Sequence, residues 1–188
     1  MTRSVRKSFS LIRLWGLFVR SDMLYVLSQQ VPSAMPPEVC VRYFQRHDAE
    51  AFRQLNEHWI SKFFTLEEPD RIMLADPLGK IVSPGGAIFV ACAGAEVIGT
   101  CALTPEHDGG FELVKMAVSE DWQGRGIGRK LLLFAIQEAK ELGIKRLRLE
   151  TSHKLGSAIH LYESVGFKHV PAHPSPFVRA DVFMEIEL

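Results

Sequence analysis

The stretch Gln123-Gly124-Arg125-Gly126-Ile127-Gly128 most narrows what this chain can fold into. The run Leu113 to Val118 before it is short and apolar, and Ile127 to Leu142 after it repeats its apolar residues at helical spacing. The order is therefore strand, glycine-rich turn, helix. Three glycines within the five residues 124–128 strip side chains from a helix N-terminus, opening its unpaired N–H groups and positive dipole end to an anion. A phosphate is the expected ligand.

Two familiar phosphate turns do not fit. A P-loop ends in Gly-Lys-Ser/Thr, whereas Arg129, Lys130 and Leu131 follow Gly128, leaving no hydroxyl for Mg²⁺. A dinucleotide fingerprint needs its third glycine one position later, at 129, and a repeated strand-helix-strand unit that this chain lacks before the turn.

The spacing Gln-x-x-Gly-x-Gly followed by a basic residue resembles the pyrophosphate-binding motif of the GNAT (GCN5-related) N-acetyltransferases. Glu112-Leu113-Val114-Lys115-Met116-Ala117-Val118 is similar to that family's central strand, and Ala158-Ile159-His160-Leu161-Tyr162-Glu163-Ser164-Val165-Gly166-Phe167 to its A-x-x-L-Y-x-x-x-G-F segment, in the family's order. The resemblance implies an α/β GNAT fold: a mixed, mostly antiparallel sheet with splayed central strands, flanked by helices. It also implies an enzyme, an acetyltransferase moving the acetyl group of acetyl-CoA directly to a primary amine on a small molecule or peptide. A non-enzymatic acyl-CoA-binding or regulatory module of the same fold is the alternative. Pairing into a homodimer is compatible with the resemblance.

Such a transfer needs a neutral amine, a polarised carbonyl, a protonated leaving thiolate and a held cofactor. An amine of pKa about 10 arrives as ammonium and must lose a proton before attack. By resemblance, Glu112 stands where a subset of the family carries a general base, and Tyr162 where the family carries its general acid. An ion pair with a nearby Lys or Arg at a strand end is the structural alternative for Glu112, and a half-buried aromatic on a helix face that for Tyr162. A backbone N–H near Met116 or Ala117 is expected to polarise the carbonyl. Val118 is expected to meet the pantetheine arm, and Gln123, Gly124, Arg125, Gly126, Ile127, Gly128 and Arg129 the pyrophosphate. Many relatives carry Asn where this chain has Leu155, so Ser152 or Ser157 is the expected substitute toward pantetheine.

The chain has 188 residues, a one-domain length, and a formal net charge of zero, so no basic footprint points to nucleic acid. Residues 1–36 form a basic leader holding Arg3, Arg6, Lys7, Arg13 and Arg20 against Asp22, and 37–188 form the acetyltransferase domain. Three readings of the leader stay open: an extra segment with a helix through Leu11 to Val19, a targeting peptide, or sequence upstream of a start at Met23 or Met35. Its apolar run, interrupted by Arg13, is too short for a bilayer, which needs roughly 20 residues. A cytoplasmic protein without membrane contact is expected. Cys40, Cys92 and Cys101, in strand-like runs and without C-x-x-C spacing, read as small buried hydrophobes. His169 and His173 are split by Pro171, so no metal is expected.

Elsewhere the pattern predicts a strand over Val39–Phe44, and a helix capped by Asp48 that ends near Ile60 and buries Phe52, Leu55 and Trp59. A short helix through Ile72 and Leu74 follows, then a hairpin of Ala87–Cys92 with Val97–Leu103. After the glycine turn come a helix with a stripe of Ile127, Leu131, Ala135, Ala139 and Leu142, a strand at Ile144–Thr151, a helix at Leu155–Val165 and a closing strand at Asp181–Leu188. Acceptor choice, by resemblance, lies with the segments His58–Asp70, Thr104–Gly110 and Ala172–Pro176. They hold Trp59, Phe63 and Phe64 with Glu67, Glu68, Asp70, Glu106 and Asp108, an aromatic and acidic rim suited to a cationic amine, or else a core beside a solvated acidic loop.

Overall fold

The computed structural model describes residues 37–188, so the leader and its expected helix lie outside the described residues. Seven strands form one sheet in the order β1-β2-β3-β4-β5-β7-β6: β1 (Val39–Tyr43), β2 (Ala87–Ala93), β3 (Glu96–Pro105), β4 (Phe111–Val118), β5 (Arg146–Thr151), β6 (Lys168–His169) and β7 (Val182–Glu187). Only β4 and β5 run parallel, joined by the crossover through the glycine turn and its helix. Every other neighbour pair is antiparallel. The mixed, mostly antiparallel sheet expected from the sequence is the observed one.

Helices cover both faces. On one, α1 (Ala49–Phe63) and α2 (Glu68–Ala75) bury Phe52, Ile60 and Leu74 against Ile88, Ala102 and Val114 of the sheet. On the other, α3 (Ile127–Glu141) sets Leu131, Leu132, Ala135 and Ala139 against Phe89, Cys101, Leu103 and Leu147, while α4 (Gly156–Ser164) closes the end with Tyr162. Each fully buried Leu, Ile, Val or Phe side chain in these layers contributes roughly 1.5–3 kcal/mol of transfer free energy. No helix among the described residues is long and apolar enough to cross a membrane.

Four expectations need correction. First, α1 runs on to Phe63, because no breaker interrupts it before the extended Phe64, and its buried line is Phe52, Asn56 and Ile60 rather than Phe52, Leu55 and Trp59. Second, Asp48 precedes α1 without capping it; its carboxylate instead accepts from the Gln45 backbone N–H at 2.7 Å and from the Arg42 guanidinium at 2.7 and 3.0 Å. Third, the α3 stripe drops Leu142, which is exposed past the last turn, and gains Leu132 and Ile136. Fourth, Cys40 lies exposed on edge strand β1, while Cys92 and Cys101 are buried as expected.

Two irregularities open the middle of the sheet. Thr100 pairs with Ala117 and Ala102 with Val114, so Lys115 and Met116 together face Cys101: a β-bulge with Lys115 at φ 52°. A non-glycine residue in that region is strained and persists only when its surroundings hold it. Here a buried chain does so, with Asn56 Nδ2 donating to Thr100 Oγ1 at 3.0 Å and Thr100 Oγ1 to the Lys115 carbonyl at 3.0 Å. Secondly, β4 and β5 pair only at Phe111↔Leu147 and Glu112↔Arg148. Beyond Glu112 the strands part.

Candidate active site

The parting strands form one wall each of a cleft of about 500 Å³. Glu112, Lys115, Met116, Ala117 and Val118 of β4 face Glu150 and Thr151 of β5 across it, with the glycine turn on the α3 side and Trp59, Phe63, Phe64, Phe177 and Arg179 on the side of α1 and α2. Of the residues singled out from sequence, Glu112, Tyr162, Met116, Ala117, Val118, Gln123, Gly124, Gly126, Ile127, Gly128, Arg129 and Ser157 all line it. Arg125 does not; its guanidinium stacks over the Trp122 ring at 5.0 Å.

At the turn end the backbone makes the site. Gly124 and Gly126 sit at φ 72° and 77°, where an L side chain is strained, and no side chain caps α3, whose N-cap is Gly126. A Cβ on Gly128 would come 3.3 Å from Leu161 and 3.4 Å from Met116, so glycine there keeps the gap between α3 and α4 passable. This open, positively polarised turn fits a pyrophosphate. Gln123 Nε2 donates to the Val118 carbonyl at 3.0 Å, tying turn to strand, and Arg129 Nη1 donates to Ser164 Oγ at 2.7 Å, tying α3 to α4. Of the two serines weighed in place of the missing Asn, Ser152 is buried and Ser157 lies exposed on the cleft wall.

Midway along the cleft Tyr162 is buried, its hydroxyl 3.8 Å from Met116 Sδ, a weak acceptor. Burial raises its pKa, so the phenol stays protonated and can donate. Glu112 behaves oppositely to an ordinary surface glutamate. Its register partner is Arg148, yet Arg148 is taken by Glu185 at 2.9 Å and by Asp108 at 2.9 Å, and Lys115 by Asp70 at 2.8 Å. Among the described residues Glu112 thus has no ion-pair partner. Burial first, then the charges of Glu150 and Glu106, push its pKa up to about 7.

The acidic rim read from sequence is neutralised in the structure. Glu106 and Asp108 are held by Arg146 and Arg148, Glu68 by Arg71, and Glu67 by Arg179. Asp70 is fully buried between Arg179, at 2.7 and 2.8 Å, and Lys115. Desolvation alone would raise its pKa, but the Arg179 hydrogen bonds and the Lys115 charge lower it instead. The aromatic part of the rim stands: Trp59, Phe63 and Phe64 pack with ring centroids 5.6–6.4 Å apart.

Sequence reading missed Glu150, Lys115 and Arg179. Glu150 lines the cleft and accepts from Ser175 Oγ at 2.5 Å, with His173 Nδ1 at 3.8 Å. Alternation along β5 put Glu150 on the solvent face, and nothing local marks the splay that turns this face into a cleft wall.

A splayed parallel pair and an uncapped glycine turn match the GNAT fold that the sequence resemblance implies. The model of the acetyltransferase (GNAT) family matches residues 44–167. An uncharacterised N-acetyltransferase of Escherichia coli, YjgM, is 35% identical over 129 residues, 65% of this chain and 75% of that protein. Among solved structures, a GNAT-family acetyltransferase from Staphylococcus aureus Mu50 superposes with a TM-score of 0.72 at 21% identity, over 80% of this chain and 99% of that one. The PaiA N-acetyltransferase of Thermoplasma acidophilum, in complex with coenzyme A, gives 0.65 at 21%, over 80% and 99%. The chain belongs to the GNAT acetyltransferase family. It is an N-acetyltransferase.

Proposed function

We propose that this cleft moves an acetyl group directly to a primary amine on a small molecule or peptide, with Glu112 as general base and Tyr162 as general acid. The observation that carries the reading is a glutamate without a cationic partner among the described residues, its pKa pushed up to about 7, in the same cleft as a buried, protonated tyrosine. Acetyl-CoA supplies the thioester. The α3 N-terminus and the turn Gly124–Gly128 hold its pyrophosphate, and Val118, Ser157 and the β4 backbone flank its pantetheine arm. Glu112 takes a proton from the acceptor ammonium; at neutral pH a base with a pKa near 7 is both available and strong enough to do so. A β4 N–H at the bulge, near Met116 or Ala117, polarises the carbonyl, its position fixed by the Asn56–Thr100–Lys115 chain. Tyr162 protonates the departing sulfur.

Cofactor contact by Arg125 acts through its charge and backbone, since its side chain rests on Trp122. Residues 37–188 form the catalytic domain, the protein acts in the cytoplasm, and dimerisation is compatible with the exposed edge strand β1. The test is a panel of amines and amino acids with acetyl-CoA, following CoA release. Turnover lost in Glu112→Gln and Tyr162→Phe, with acetyl-CoA binding retained, supports the roles; turnover retained in both removes them.

A further inference from the structure

The acceptor end of the cleft is bipolar. Glu112 and Glu150 supply one pole and Lys115 with Arg179 the other, and Lys115 follows Glu112 by three residues on the same strand. The positive pole has unspent donors. Lys115, with its side chain only 4% exposed, gives one ammonium hydrogen to Asp70, so two of its three have no acceptor among the described residues. Arg179 spends two Nη1 hydrogens on Glu67 and Asp70 and one Nη2 hydrogen on Asp70, which leaves Nε and the second Nη2 hydrogen. A single buried carboxylate, Asp70, thus serves two cations, the buried Lys115 and the half-buried Arg179, and the buried Lys115 donors favour a further acceptor.

The Phe177 ring covers both cations, at 4.8 Å from Lys115 Nζ and 4.4 Å from the Arg179 guanidinium. Phe64 lies 6.0 Å from Arg179 and leads into the aromatic group with Trp59 and Phe63. The remaining donors therefore sit beside aromatic faces in the cleft, where a charge-assisted hydrogen bond is stronger than in bulk water.

Resting on the reading of this cleft as an N-acetylation site, we infer that the acceptor is a free amino acid with an apolar side chain: its carboxylate meets Lys115 and Arg179, its ammonium meets Glu112 and Glu150, and its side chain lies against Trp59, Phe63 and Phe64. A cationic amine without a carboxylate leaves the Lys115 and Arg179 donors unspent and meets two cations of its own sign. Glu150, held by Ser175, positions the ammonium, while Glu112 removes its proton.

The test compares phenylalanine, phenylalaninamide and phenethylamine on the full chain. Binding to the CoA-saturated protein is read from the fluorescence of the cleft residues Trp59 and Trp122, and kcat and KM from CoA release. A charged hydrogen bond of roughly 1.5–3 kcal/mol corresponds to about tenfold or more, so phenylalanine should bind at least about tenfold more tightly than either carboxylate-free analogue. It should also show the higher kcat/KM, although the amide, the weaker base, arrives more fully deprotonated. In Arg179→Gln the KM for phenylalanine should rise about tenfold while that for phenethylamine changes little. Equal or tighter binding of the amide or amine to the wild-type protein, or no binding of any of the three, overturns the inference whatever the variant does. Selective binding of phenylalanine without turnover would keep the acceptor assignment and remove the catalytic one; turnover of the amine equal to that of phenylalanine would do the reverse.

Discussion

The two ends of the cleft are built from different materials. The end proposed for the phosphates is backbone: alternate glycines, a helix terminus and the N–H groups that both leave open. The end proposed for the acceptor is side chains, with Asp70, Lys115 and Arg179 joined across 45 and 109 residues of sequence. A backbone site tolerates exchange of its own side chains and fails when a side chain is added. The charge network fails when a single group is removed.

The largest effect that would sharpen this contrast belongs to Asp70. Asp70→Asn leaves the buried Lys115 and the half-buried Arg179 without their shared counter-charge, and breaking a buried pair such as Lys115–Asp70 costs about 3–5 kcal/mol. Chemical denaturation should show that loss. The sign with pH follows from a folded-state pKa below the ordinary 3.8. The wild-type contribution of Asp70 is complete above its unfolded pKa and declines as pH falls through the lower folded value. An Asp70→Asn variant of unchanged stability would mean that the network does not support the fold.

Next comes Gly126→Glu. Space exists for its Cβ, so the fold loses only about 1–2 kcal/mol to the positive φ. Acetyl-CoA affinity should fall at least about 100-fold, because a carboxylate then faces the phosphates. Calorimetry showing undiminished affinity would dissolve the phosphate end as described. Tyr162→Phe should lower kcat by about 100-fold and leave acetyl-CoA affinity within about twofold; a parallel loss of affinity would give the hydroxyl a binding role instead. Smallest is Arg125→Ala, whose side chain rests on Trp122. Its acetyl-CoA affinity should change by less than about threefold, and a larger loss would show that the backbone turn depends on that charge.

What could be read from the sequence divides along the same line. Backbone sites leave contiguous signatures, so the turn at Gly124–Gly128, the helix behind it and the strand before it were legible, and with them the family, the sheet type and acetyl-CoA. The charge network was not. Glu67, Asp70, Glu106 and Asp108 form an acidic rim only while their partners are unknown, and those partners come from β4, β5 and the loop before β7. Lys115 read as one polar residue in an apolar strand, because a bulge depends on register against β3 and not on β4 alone. Asn56, on the buried face of a helix, was hidden for a similar reason: its partner Thr100 is 44 residues away.

Leu142 and Asp48 show how local rules fail at element ends. Leu142 keeps the helical spacing but is the C-cap residue of α3 and stands exposed. Asp48 occupies a capping position, yet a guanidinium on the neighbouring strand offers its carboxylate a charged donor in place of a backbone amide.

The most direct test of the account is the pH dependence of kcat/KM for wild type and Glu112→Gln, with acetyl-CoA and the best acceptor from the panel. The account predicts that the wild-type rate rises with pH through about 7, as Glu112 loses its proton. Glu112→Gln should lose that limb and about 10²–10⁴ of the rate while binding acetyl-CoA normally. A Glu112→Gln enzyme that keeps both the rate and the limb near pH 7 would contradict it, and would place the base elsewhere in the cleft.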